Sequence, residues 1–177
     1  AVSIIGSAVT SCSAGYGGVV YARFSGAVSI IGSAVIGCSA GDGGATNTLA
    51  TDLNVTDSTI SSCNATRGGA VYVHSGSASL ARSTISNCIA TESGGGLYSA
   101  GGSTSLSDGT LISGCSALSG GGLYSAGGRT SLSDGALISG CSAEGQGNAI
   151  FLLAGEVSYA LPAPAGRWLP NARCEVY

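Results

Sequence analysis

Asp108 and Asp134 are the two acids of the chain that share one place in a repeated segment. Cleavage of a polysaccharide takes clustered acids, commonly beside Arg, Lys or His, either to bind Ca2+ or to deliver and accept a proton. The remaining acids, Asp42, Asp52, Asp57, Glu92, Glu144, Glu156 and Glu175, are scattered. Asp108 and Asp134 each precede a glycine, so a weak Ca2+ pair competes with two solvated Asp-Gly turns, and the turns are the expectation. His74, the one histidine, has no acid near it in sequence; an Asp one repeat earlier, Asp52 or Asp57, is the nearest candidate to approach it. No nucleophile motif, nucleotide-binding loop or metal-ligand spacing occurs, so the expectation is a non-enzyme with no cofactor, no metal and no catalytic residue.

Cysteine is the other chemically capable residue, and its spacing shows how the chain is built. Cys12, Cys38, Cys63, Cys88, Cys115 and Cys141 are separated by 26, 25, 25, 27 and 26 residues. Three positions before each stands an aliphatic residue, from Val9 to Ile138, and two positions after each stands an alanine, from Ala14 to Ala143. Another aliphatic lies eight or nine positions before each, and the extra residue in the last two copies coincides with the Asp-Gly pairs. Residues 94–117 and 120–143 differ at two of twenty-four positions. A Gly-Gly pair followed by an aliphatic and an aromatic closes most copies, placing Tyr21, Tyr72, Tyr98, Tyr124 and Phe151 in one series. The second copy breaks it with Ala45-Thr46-Asn47.

A period near 26 is the signature of a solenoid, in which each repeat buries its apolar face only by stacking on neighbours. Glycine at this density is unfavourable for helix, and no 3.6-residue apolar period is sustained. Each copy reads as three short extended segments between Gly, Ser, Asp or Asn corners. The predicted fold is all-β: a right-handed, single-stranded parallel β-helix of about six coils over residues 1–155, about 29 Å long at about 4.8 Å per coil. With 8% charged residues the composition alone suggests disorder, but a disordered tract would not keep Ile, Cys and Ala in register six times.

In that fold the cysteines form a column. Neighbouring coils lie within the usual Cα range for a disulfide, yet in-register side chains point the same way, so buried free thiols are preferred over bridges. Cys174 lies outside the pattern and is the best disulfide candidate. The aromatics form a further column. An inward Tyr needs a hydroxyl partner and an outward one makes an exposed stripe; alternation leaves both open. Thr10, Thr59, Thr84 and Thr110 are too irregularly continued, at Ile36 and Ala136, to suggest an ice-binding array.

The chain has no Lys, six Arg against nine acids, and no run of eighteen apolar residues, which argues against nucleic-acid binding and against a transmembrane segment. Its opening inside a repeat suggests a piece of a longer polypeptide. Asn54-Val55-Thr56 and Asn64-Ala65-Thr66 are N-glycosylation sequons, pointing with the Ser/Thr-rich, weakly charged composition to a secreted or cell-surface glycoprotein. Three prolines within residues 162–170 end any ladder, so residues 156–177 are expected to be a cap, with Trp168 folded over the last coil, or a linker to a following region.

The Gly-Gly-x-aliphatic-Tyr and Ser-Thr-Ile-Ser-x-Cys elements resemble the repeats of polymorphic outer-membrane-protein and pectate-lyase-like β-helix proteins over about residues 1–155. The Leu-Pro-Ala-Pro-Ala-Gly-Arg-Trp segment is similar to the stretch that succeeds such repeats in very large surface proteins of unicellular algae. The resemblance implies the fold, which hosts adhesins, lyases, hydrolases and fibres alike. The function expected is a stiff extracellular rod or filament, with partners that are other copies head to tail or other domains of the parent chain. The alternative is an adhesin presenting the Tyr series or residues 19–24 and 45–52 to glycans, and a polysaccharide lyase or hydrolase ranks last.

Overall fold

The computed structural model describes residues 1–24 and 26–159. These residues wind into a parallel β-solenoid of about six coils, and every strand pairs in parallel with its counterpart one coil away. The strands make four sheets that run the length of the solenoid, one of seven strands and three of six. One coil illustrates the order: Ser77–Ala81 lies in the first sheet, Thr84–Ser86 in the second, Ile89–Ser93 in the third and Leu97–Ser99 in the fourth. The sequence pattern divides a coil into three extended segments; the structure adds a fourth, the stretch after each cysteine, such as Ser116–Ser119. That stretch is Ser/Ala-rich and carries no aliphatic alternation, but a backbone ladder does not require large side chains. Glu156–Tyr159 adds the seventh strand of the first sheet, beside Arg129–Leu132. The Pro-rich segment, Trp168 and Cys174 fall outside the described residues.

The register is that of the repeat. Ile60 stands on Val35 and Ile85, Leu80 on Val55 and Leu106, and Leu97 on Val71 and Leu123. Strand side chains alternate between two faces, so this register sends two columns of the first and fourth sheets and one of the second and third to the interior. Ile30, Leu53, Ile60, Leu80, Ile85, Leu97, Leu106, Ile112 and Leu123 are fully buried, each worth about 1.5–3 kcal/mol of burial. Ala65, Ala90 and Ala117 line the third sheet, where small side chains let the chain turn close to the core. Thr46, Thr48, Thr104 and Thr130 also point inward. Each substitutes in shape for a valine, and their buried hydroxyls have no hydrogen-bond partner.

The slip in the repeat is a turn. At the corner between first and second sheets, coils of 25 residues use one residue of positive φ, Asp57 at 50° or Arg82 at 48°. The next two coils use two, Asp108 and Gly109 at 53° and 73°, then Asp134 and Gly135 at 50° and 78°. Two consecutive positive φ values are the mark of a type I′ turn, which Asp-Gly favours. The turn closes through the Thr110 N–H donating to the Ser107 carbonyl at 3.0 Å.

Candidate functional site

Both acids singled out for chemistry sit on this corner. Asp108 is half exposed, accepts the Ser107 hydroxyl at 3.0 Å and lies 3.9 Å from an Arg82 nitrogen, while Asp134 is exposed one coil on. They are the turn residues of two Asp-Gly turns. Among the described residues, no group of three His, Cys, Asp or Glu side chains is arranged to hold a metal ion. His74 is exposed, with its ring 6.4 Å from that of Tyr72. Neither aspartate considered for it is so engaged: Asp52 accepts the Ser77 N–H at 3.0 Å, and Asp57 binds Arg82 through both oxygens at 2.7 and 3.1 Å. That bidentate contact holds the Asp57 carboxyl below the usual range.

The Arg82–Asp57 pair joins coil to coil, and so do two others. Arg67 grips Asp42 through two hydrogen bonds of 2.9 and 2.8 Å, and Arg129 reaches Glu156 at 3.2 Å. Arg67 and Arg82 each stand 25 residues after their acids, one coil period. Opposite charge at the coil period was therefore the sequence signal for these contacts. The Asp42 side chain is 11% exposed, the most enclosed acid of the three pairs. The hydrogen bonds to it hold the Arg67 guanidinium charged far beyond the alkaline range.

The six cysteines of the repeat are free thiols in register. Cys38, Cys63, Cys88 and Cys115 are buried, and Cys12 and Cys141 at the two ends of the column are half-buried. Each Sγ faces the carbonyl two residues earlier, at 3.3 Å for Cys63 and Cys88, and Cys38 and Cys88 also accept the N–H of the cysteine one coil before, from Cys12 and Cys63 at 3.4 Å. Burial pushes the Cys38 thiol up. Cys88 is pushed up by the flanking sulfurs of Cys115 and Cys63 and then by burial. These are small buried donors and acceptors that close a corner.

Five residues before each cysteine lies a second column, to which no role was assigned from sequence. Ser7, Ser33, Ser58, Ser83 and Thr110 occupy it. Ser33 N–H donates to Ser58 Oγ at 3.1 Å, Ser58 N–H to Ser83 Oγ at 3.2 Å, and the Ser58 hydroxyl donates to the Thr56 carbonyl at 2.7 Å. The signal was the constant five-residue offset from cysteine, obscured because serine is abundant everywhere in the chain.

The aromatic column points outward. Leu97 and Ser99 are buried in the interior, and Tyr98 between them stands on the opposite face. Tyr72, Tyr98, Tyr124 and Phe151 stack along the axis with centroids 5.0, 5.0 and 5.1 Å apart, the first two pairs within 7° of parallel. Asn47 takes the position between Tyr21 and Tyr72, and there its amide donates to the Asp42 carbonyl at 3.3 Å. Tyr21 stacks instead on Tyr16, at 5.5 Å and 30°. The Arg67 guanidinium lies beside the column, 5.1 Å from the Tyr72 centroid and 5.8 Å from that of Tyr98. Tyr72 is thereby 5% exposed although it faces away from the core, and burial pushes its phenol up. Because the rings face one another, the column presents ring edges to solvent, and a sugar that stacks on an aromatic face finds few faces open.

Both sequon asparagines are exposed, Asn54 on the outer face of the first sheet and Asn64 at the start of a third-sheet strand. Comparison with family models, curated proteins and solved structures yields no match for this chain.

Proposed function

We propose that the chain is a non-enzymatic structural module, a stiff β-solenoid rod in an extracellular or cell-surface glycoprotein. The observation that carries this reading is the continuity of the ladders. Backbone hydrogen bonds on four sheets, with columns of aliphatic side chains and of Cys, link each inner coil to both neighbours, and hydroxyls and stacked Tyr add to them over part of the length. In such an array a coil opens only by breaking ladders on every side at once. The charged groups fit the same use, since Asp42, Asp57 and Glu156 are each held by an arginine one coil away. Kinship with polymorphic outer-membrane-protein and pectate-lyase-like coils, N-linked sugar on Asn54 and Asn64, and head-to-tail assembly belong to the same proposal.

The decisive experiment is single-molecule pulling of the full chain, paired with assays on acidic polysaccharides. The rod reading expects high unfolding force, resistance to protease and no turnover. Turnover that disappears in Asp108→Asn or Asp134→Asn would replace it with an enzyme. Secretion from eukaryotic cells tests the sugar: a glycosidase-sensitive mobility shift should vanish when Asn54 and Asn64 are both changed to Gln. In negative-stain images, regular fibres support assembly and discrete short particles oppose it. One observation favours the adhesin reading: Tyr16, Tyr21 and Phe24 are 56%, 48% and 70% exposed. Glycan-array binding lost on Tyr21→Ala would establish it.

A further inference from the structure

Within the aromatic column one pair of phenols differs from the other in exposure. Tyr98 and Tyr124 are consecutive phenols with centroids 5.0 Å apart and planes 7° from parallel, held in register by their strands. Both are half-buried, on the face of the sheet turned away from the core. Among the described residues no hydrogen bond holds either hydroxyl. On one side the column continues to Tyr72, which is 5% exposed and flanked by Arg67. On the other it continues to Phe151, which has no hydroxyl to lose.

We propose that Tyr98 and Tyr124 form an oxidative cross-linking site, at which a peroxidase-type one-electron oxidant using hydrogen peroxide joins two consecutive coils through a dityrosine bond. Each phenol gives one electron to the oxidant and its hydroxyl proton to water, leaving a phenoxyl radical with spin density on the carbons next to the C–O bond. In a near-parallel stack the equivalent carbons of the two rings are neighbours about one coil rise, about 5 Å, apart. Coupling requires rotation about the side-chain bonds, which tips the two ring edges toward each other. The two unpaired electrons become one carbon–carbon bond. Each ring then releases the hydrogen of its bonded carbon as a proton, and its oxygen regains one. Two tyrosines and one hydrogen peroxide thus yield dityrosine and two waters. Tyr72 and Tyr124 are two coils apart, about 10 Å, beyond the reach of direct coupling. The bond would staple consecutive coils of a solenoid whose six repeat cysteines are free thiols.

Arginine positions make the test specific. Cleavage after Arg82 and Arg129 releases residues 83–129 as one peptide that contains both Tyr98 and Tyr124, whereas Tyr72 lies in residues 68–82 and Tyr16 and Tyr21 in residues 1–23. The full chain is treated with peroxidase and hydrogen peroxide, denatured, reduced and alkylated so that no disulfide mimics the mass change, then digested. The expected product is peptide 83–129 lighter by the mass of two hydrogen atoms and carrying dityrosine fluorescence. It should be lost in Tyr98→Phe and in Tyr124→Phe and kept in Tyr72→Phe. Phe151 already occupies the same column, so each variant should keep the wild-type circular dichroism. Absence of the lighter peptide from oxidised wild type, a link found only between separate molecules, or a link that survives both Tyr98→Phe and Tyr124→Phe would overturn the proposal.

Discussion

The two corners that bracket the second sheet solve one problem with different atoms. At each, the chain turns through a residue of positive φ, such as Asp57 or Arg82 before the hydroxyl column and Ser62 or Asn87 before the thiol column. The next residue carries the heteroatom. That atom donates to the carbonyl two positions back and accepts the N–H of the previous coil. Oxygen makes the shorter contacts, 2.7 Å to the Thr56 carbonyl from Ser58 against 3.3 Å to the Ser86 carbonyl from Cys88. Sulfur is larger and less polar, and it also fills the core beside Gly96. A buried backbone N–H must be paired, and the comparison shows when a side chain is needed for that. In the later coils the Asp-Gly turn pairs the Thr110 N–H with Ser107, and Ala136, one coil on, dispenses with the hydroxyl. Ala136 is one of the two differences between the near-identical repeats; the other, Arg129 for Ser103, provides the partner of Glu156.

The largest effect should come from crowding the thiol corner. A Cβ on Gly96 would lie 2.7 Å from the Gly122 carbonyl oxygen and 2.8 Å from Ile112 Cγ2, so Gly96→Ala should destabilise by about 3 kcal/mol in urea unfolding. Next is the heteroatom itself. Cys88→Val strips the Cys63 N–H of its acceptor and should cost about 1–3 kcal/mol. Cys88→Ser keeps an acceptor and a donor and should cost less; equal losses in the two variants would show that the corner wants volume only. Ser58→Ala, which orphans the Ser33 N–H, should match Cys88→Val if the two corners are equivalent.

Ala136→Thr sharpens the contrast. It restores the hydroxyl where the N–H is already paired, so the unfolding free energy should shift by no more than about 0.5 kcal/mol. The smallest effect is at the exposed Asp57–Arg82 pair. The folded Asp57 carboxyl titrates below its ordinary range, so its stabilisation is present above the unfolded value and fades as pH falls through the folded one. Because both side chains are about half exposed, high salt should largely remove the difference between wild type and Asp57→Asn.

The parallel solenoid, its coil number and the Ile, Leu, Cys and Tyr columns were legible because every coil repeats the same environment, and a repeated environment imprints a period on the residues that fill it. The hydroxyl column and the ion pairs at the coil period were equally present in the letters. Serine is too common in this chain for one column of it to stand out, and an acid's partner at the coil period is an arginine rather than another acid. The strand after each cysteine was not legible as a strand, since its one regular side chain is the alanine two positions after the cysteine and backbone pairing specifies the rest.

By itself, the sequence determined the period and which residues share a column. Register follows from that, because in-register stacking is the arrangement that keeps every like residue in a like place. The tertiary structure alone decided which way the aromatic column points. Alternation along Leu97, Tyr98 and Ser99 is satisfied with either the tyrosine or its neighbours inside, and only closure of four sheets around one narrow core, with room for Leu and Ser but not for a stack of rings, places Tyr98 outward. The same closure decided that Tyr72 is covered while Tyr98 and Tyr124 keep an edge in water, because Arg67 is drawn over the column by Asp42 from the neighbouring coil.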